Sequence, residues 1–166
     1  MSACVDAPTE ATVTWRPMRE DDLPAVAALE RASHAAPWTE GNFRDALAAG
    51  YGALVGEHAG VVVAYGVLML SPGEAQLLNL TVAAAARRRG LGRRLLQRLL
   101  SDALGVGVEQ CFLEVRESNH SAMALYLREG FAPVARRAGY YPPPSGSNAR
   151  EDALVMRRGL RKDAHG

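Results

Sequence analysis

Six leucines and six arginines share one stretch of this chain, and they divide it by face. Leu91, Leu95, Leu96, Leu99, Leu100 and Leu104 recur at the period of an α-helix, while Arg93, Arg94 and Arg98 take the opposite side. A helix with so wide an apolar stripe must lie on a larger apolar surface, which for a chain of 166 residues means a sheet within one domain. Between residues 75 and 101 there is no acidic residue, although the whole chain carries 19 basic and 18 acidic side chains and a formal charge of +1. That near-zero sum argues against a protein that coats nucleic acid. The basic character is local.

Other segments supply the sheet. Val13-Thr14-Trp15-Arg16-Pro17-Met18 reads as a first strand, and Asp21 and Asp22 are placed to cap a helix carrying Leu23, Val26 and Leu29. Thr39, after Pro37-Trp38, is the expected N-cap of a second helix reaching Ala49. Strands are expected at 52–57 and 61–70, joined by the turn His58-Ala59-Gly60, and again at 76–83. Gly105 and Gly107 end the leucine helix, and Cys111-Phe112-Leu113-Glu114-Val115 is a buried strand. Ser118 or Asn119 caps a helix that Gly130 stops, and strands at 131–136 and 153–157 close the chain. The fold class is α/β (α+β), a mixed sheet with helices on both faces. Residues 1–11 are expected to form a mobile arm, 12–160 a single domain and 161–166 a tail. The run Tyr141-Pro142-Pro143-Pro144-Ser145-Gly146-Ser147-Asn148 is expected to be a surface loop.

Two distant cysteines, Cys4 and Cys111, form no disulfide framework and no metal-ligand spacing, nor do the four histidines. The first residues carry acids in place of a basic-then-apolar signal, and the longest apolar run is about half a membrane span. A cytoplasmic protein with no membrane and no direct nucleic-acid partner is the expectation, with no metal.

The head of the leucine helix carries the chemical lead. Arg87-Arg88-Arg89-Gly90-Leu91-Gly92 stands between an apolar strand and that helix. A helix start exposes unpaired N–H groups, glycines let a ligand approach the backbone, and arginines add charge-assisted bonds, so the turn suits a pyrophosphate. It is neither the dinucleotide fingerprint, since Leu95 stands where a third glycine belongs, nor a nucleoside-triphosphate loop.

This Arg-x-x-Gly-x-Gly turn resembles the coenzyme A signature of the GNAT superfamily of N-acetyltransferases. Leu78-Asn79-Leu80-Thr81-Val82, Leu113-Glu114-Val115-Arg116-Glu117-Ser118-Asn119, Ala124-Leu125-Tyr126-Leu127-Arg128-Glu129-Gly130-Phe131 and Arg137-Ala138-Gly139-Tyr140-Tyr141-Pro142 resemble its ribosomal-protein-alanine N-acetyltransferases, over roughly residues 13–158. The resemblance implies a mostly antiparallel sheet with two splayed parallel strands and acetyl-coenzyme A as co-substrate. By resemblance, Leu80, Thr81 and Val82 hold the pantetheine arm and acetyl carbonyl, Arg87, Arg88, Arg89, Gly90, Leu91, Gly92 and Arg93 cradle the pyrophosphate, and Asn119 bonds the pantetheine. Glu114 matches the general base and Tyr126 the general acid; Trp38, Tyr140 and Tyr141 match loops beside the incoming peptide. The implied acceptor is a protein N-terminus, the N-terminal alanine of ribosomal protein S18, and the implied assembly a monomer or weak dimer. Lysine side chains and small amines are the alternative acceptors, and an arginine-helix module binding nucleic acid or ribosomes the alternative of another class. Two departures stand out: Ala83-Ala84-Ala85-Ala86 replaces an acid and a proline, and the loop at 142–148 is longer than its counterpart.

Overall fold

A computed structural model of the chain describes residues 6–143 and 146–160. Cys4 with the rest of residues 1–5, Pro144 and Ser145 of the expected loop, and the expected tail 161–166 lie outside the described residues. The elements follow the expected order: β1 (Thr14–Pro17), α1 (Leu23–Ser33), α2 (Glu40–Ala48), β2 (Gly52–His58), β3 (Val61–Ser71), β4 (Glu74–Val82), α3 (Leu91–Gly105), β5 (Gln110–Arg116), α4 (His120–Arg128), β6 (Ala132–Tyr141) and β7 (Glu151–Gly159). They form one seven-stranded sheet in the order β1-β2-β3-β4-β5-β7-β6. Every neighbouring pair is antiparallel except β4 and β5.

Each face of the sheet has its own core. On one, Leu95, Leu96 and Leu99 of α3 are buried against Leu68, Leu77, Leu113 and Met156; each such side chain contributes about 1.5–3 kcal/mol by leaving water. On the other, Leu23 and Val26 of α1 and Phe43 of α2 pack on Val55, Tyr65 and Val67. Phe43 meets the Tyr65 ring edge-on at 5.6 Å. The β2–β3 hairpin turns on Ala59 and Gly60, both left-handed (φ 51° and 79°), the pairing a two-residue hairpin loop requires.

The strand that shapes the site is β4. Its register against β3 runs Val67 to Asn79 but Leu68 to Leu77, so Leu78 is an extra residue, a β-bulge. Pairing with β5 covers Glu74–Leu77 against Gln110–Leu113 and ends there. The bulge also switches which residues face which way. Ala75 and Leu77 point toward α3 before it, and Leu80 and Val82 do so after it. Asn79 and Thr81 therefore turn toward α1.

Three expectations need correction. Asp22 precedes α1 without capping it through its side chain; its carboxylate is gripped by Arg16 at 2.7 and 2.8 Å and accepts from the Arg19 amide at 2.8 Å. The last two strands run further than their apolar pattern indicates. Asp152 accepts from the Gly139 amide (2.8 Å) while Arg150 donates to the carbonyls of Gly139 and Tyr140 (2.7 and 3.2 Å), so side chains carry the hairpin beyond Arg137. Tyr140 and Tyr141 consequently sit in β6 and not in a loop. Thr39 does cap α2, accepting from the Asn42 amide at 3.1 Å.

The Arg16 guanidinium, more than any other group, holds the Asp22 carboxyl below the usual carboxylate range. Its stabilisation is present above about pH 4 and fades as pH falls through the depressed native value. Asp22→Asn is expected to cost about 1.5–3 kcal/mol at neutral pH. In urea titrations, the gap between variant and wild type should close as the pH drops below that range; a gap independent of pH contradicts the assignment.

Candidate active site

Where β4 leaves β5, a cleft of about 470 Å³ opens through the sheet. Its walls come from both faces: Glu30, His34 and Trp38 on the α1 side, Leu80 of β4 and Glu114 of β5 along the split, and Asn119 and Tyr126 of α4 on the other side. Tyr141 and Pro142 close one end. A passage lined this way lets two reactants meet from opposite faces.

Glu114 belongs to the set on β5 that alternates away from the α3 core, between buried Leu113 and Val115. Its side chain is 14% exposed and lies 3.2 Å from the Arg137 guanidinium. The same carboxylate raises the Tyr140 phenol above the usual tyrosine range. A smaller cavity of about 200 Å³, lined by Ser71, Glu74, Phe112 and Arg137, lies against the same carboxylate. Tyr126, by contrast, is held in the α3-side core with its ring 5.9 Å from Phe131. Burial pushes its phenol up to about 12, so it stays protonated and able to donate at neutral pH. The structure thus sets a carboxyl group and a protonated phenol in the wall of one cleft.

The α3 start is built as its sequence indicates. Gly90 occupies the N-cap in a left-handed conformation (φ 77°), and Arg88 is left-handed as well (φ 64°). A side chain at Gly90 would be strained on both counts, since Glu10 Oε1 lies 2.8 Å from where its Cβ would sit. A carboxylate of the N-terminal segment thus already rests at this helix end, where the macrodipole favours an anion. Leu91 is buried beneath the turn, and Arg87 to Gly90 are exposed above it. Two arginines have structural partners: Arg87 donates to the Val82 carbonyl at 3.1 Å, and Arg93 pairs with Glu129 at 2.8 Å. Gly92 leaves room for Val82 and Leu125, each 3.6 Å from the place of its missing Cβ.

The remaining expected residues divide. Leu80 and Asn119 line the cleft, Asn119 with its carboxamide oxygen capping α4 through the Ala122 amide at 3.3 Å. Val82 packs toward α3. Thr81 is buried, turned toward α1 by the bulge. Trp38 lines the cleft while its ring packs at a tilt against Phe43, 5.1 Å away. Tyr140 is 44% exposed and outside the cleft wall, whereas Tyr141 is within it. Burial, with Glu114 adding to it, pushes the Tyr141 phenol up to about 12. The Arg116 guanidinium lies 4.4 Å over the Tyr141 ring, donates to the Pro142 carbonyl and pairs with Glu151.

One group was missed by sequence reasoning. Glu30 is 2% exposed and accepts from Tyr65 (2.6 Å), Asn79 (3.0 Å) and the Trp38 amide (2.9 Å). His34, one helical turn on, bonds Thr81 at 2.8 Å and stands 3.3 Å from Glu30. The only local signal was Glu30 on α1 and His34 four residues on, at the C-cap of that helix, which looks like a solvated face.

Comparison with known proteins settles the family. The model of the Acetyltransferase (GNAT) family matches residues 15–131. The chain belongs to the GNAT family. The [ribosomal protein bS18]-alanine N-acetyltransferase of Escherichia coli K12 is 38% identical over 135 residues, which is 81% of this chain and 89% of that protein. The Haemophilus ducreyi protein of the same name is 34% identical over 82% of this chain and 93% of its own length. Among solved structures, the ribosomal-protein-S18-alanine N-acetyltransferase from Escherichia coli superposes with a TM-score of 0.83 at 33% identity, covering 92% of this chain and 97% of that one. The GNAT fold accounts for the mixed sheet with its single parallel pair. Among the described residues, no helix is long and apolar enough to cross a membrane.

Arg116 ties the Tyr141 end of the cleft to β5 and to Glu151. Replacing it (Arg116→Leu) should speed chymotrypsin cleavage after Tyr140 several-fold. An unchanged cleavage rate would mean that other contacts hold this end.

Proposed function

We propose that this GNAT enzyme acetylates the α-amine of a protein N-terminus, with the N-terminal alanine of ribosomal protein S18 as its acceptor in the cytoplasm. The substrate comes from the relatives that bear that name, at 38% and 34% identity over most of both chains. The observation that carries the chemistry is the through-sheet cleft, with Glu114 and Tyr126 in its wall.

The acyl donor is acetyl-coenzyme A, which supplies an acetyl group already activated as a thioester. The α3 start fits such a donor: exposed amides at the positive helix end, a left-handed Gly90 and exposed Arg88 and Arg89 suit its phosphates. Phosphates would replace the Glu10 carboxylate there. Leu80 and Val82, on the free edge of β4 beyond the bulge, and Asn119 at the α4 start would hold the arm that leads into the cleft. Fixed amides beside a carbonyl stabilise the negative charge that grows on its oxygen during attack.

The acceptor arrives from the α1 side, between Trp38 and Tyr141. Its amine is charged at neutral pH and must lose a proton before it can attack. Glu114 takes that proton, its carboxylate held by Arg137. Tyr126, whose phenol burial keeps protonated, gives its proton to the departing sulfur. Direct attack needs no covalent enzyme intermediate. The buried Cys111 thiol, raised by desolvation to about 11, is suited to packing and not to nucleophilic attack.

Release of free coenzyme A thiol, measured with a peptide that begins Ala-Arg-Tyr-Phe, tests the proposal. Wild type should turn over; Glu114→Gln should lower kcat by about 10²–10⁴-fold and Tyr126→Phe by about tenfold, since the thiolate is a fair leaving group. Turnover confined to lysine side chains or small amines in a parallel panel would refute the substrate. Full activity of Glu114→Gln would refute the base. In a separate measurement, Gly90→Ala should raise KM for acetyl-coenzyme A while changing KM for the peptide little; equal effects on both would count against a donor site at α3.

A further inference from the structure

The hydrogen bonds around Glu30 all run in one direction. A carboxylate can only accept, so the Asn79 side chain must offer its NH₂ to Glu30 Oε1 (3.0 Å). That leaves the Asn79 carbonyl oxygen to accept from the Thr81 hydroxyl at 2.8 Å. With its one proton committed, Thr81 Oγ1 accepts at 2.8 Å from Nε2–H of His34. The neutral ring is thereby fixed as the Nε2–H tautomer. Its Nδ1 lone pair has no protein partner among the described residues, and the side chain, 41% exposed, forms part of the cleft wall. Tyr65 and the Trp38 amide supply the remaining donors to Glu30, so its charge is fully solvated by the protein.

Such a chain has an anion at its closed end and a proton acceptor at its open end. The acceptor nitrogen needs more than one such group: from ammonium to amide it sheds two protons, and Glu114 can hold one. We propose that His34 takes the other at Nδ1, with Glu30, Asn79 and Thr81 as the positioning residues that orient its ring. This rests on the acetyl-transfer reading above. In the step, an N–H bond of the substrate nitrogen breaks, its electron pair stays on nitrogen, and the proton bonds to Nδ1. The imidazolium so formed has the Glu30 carboxylate 3.3 Å from its Nε2 and returns its proton to water as product leaves, while the proton held by Glu114 passes back through solvent to the phenolate that Tyr126 becomes on protonating the sulfur. The charged and titratable groups around the ring are Glu30 on its own helix, Tyr65 of β3 behind it, and Glu114, Arg116, Tyr126 and Tyr141 in the opposite walls.

Two measurements test this. Nitrogen NMR of the free protein reports the tautomer of His34 whatever the enzyme acetylates: Nε2–H is expected, and Nδ1–H would overturn the proposal. Kinetics across about pH 6 to 9 then compare wild type, His34→Ala and Thr81→Val on whichever amine the wild type acetylates. His34→Ala should lose about 10–100-fold in kcat with little change in KM, alter the acid limb of the pH profile and recover in part with free imidazole. Thr81→Val, which removes the acceptor of Nε2–H and the donor to the Asn79 carbonyl oxygen but keeps the imidazole, should lose less. Wild-type kcat and pH profile in His34→Ala would overturn the proposal. So would a loss that imidazole does not rescue and that tracks a fall in Tm. Failure of the wild type on every amine would instead refute acetyl transfer, and with it the role proposed for His34.

Discussion

One extra residue in β4 organises the rest of this molecule. A strand that gains a residue against its neighbour bends and twists, and at Leu78 that bend coincides with the end of pairing between β4 and β5. Up to Leu77 and Leu113 the two strands form an ordinary parallel ladder. Beyond it they part, and a sheet that would otherwise be a closed wall acquires a slot. Reactants can reach that slot from both faces, and α3 and α4 stand on one side of it as α1 stands on the other. The same extra residue reverses which side chains face α1, and so brings the polar pair Asn79 and Thr81 to Glu30 and His34. Had the strand kept a regular alternation, those two residues would face the leucines of α3 without partners.

Charge is arranged around the slot by the same economy. Arginines gather at the exposed start of α3, where the helix already favours an anion, and Glu10 lies there now. Glu30, the most buried carboxylate among the described residues, is tolerated because three donors surround it. Glu114 and Tyr126 represent the intermediate case: partly or wholly withdrawn from water, yet both in the cleft wall. The formal charge of +1 describes none of this.

Much of the fold was legible because its signals are local. The leucine stripe of α3, the Thr39 cap, the turn at Gly60 and the left-handed Gly90 each depend on a few adjacent residues, and the family motifs lie in the same short segments. What escaped depends on distant partners. Leu77-Leu78-Asn79-Leu80-Thr81-Val82 does not announce which residue is the extra one, since the adjacent Leu77 and Leu78 put leucine in both phases. Glu30 looks like a surface acid until Tyr65 and Asn79, 35 and 49 residues away, close over it. Asp22 resembled a cap because the competing Arg16 belongs to a strand. The two final strands were underestimated because Asp152 and Arg150, and not apolar alternation, extend them past Arg137.

In the proposed reaction, donor and acceptor meet through the split between β4 and β5. A crystal structure with coenzyme A joined through an acetyl bridge to the α-nitrogen of an alanine-first peptide tests it most directly. The conjugate should thread the sheet between Leu80 and Glu114. Its phosphates should lie on the amides of the α3 start, in place of Glu10, and its peptide should leave past Trp38 and Tyr141 on the α1 side. A conjugate bound wholly on one face, with the split between β4 and β5 empty, would contradict it.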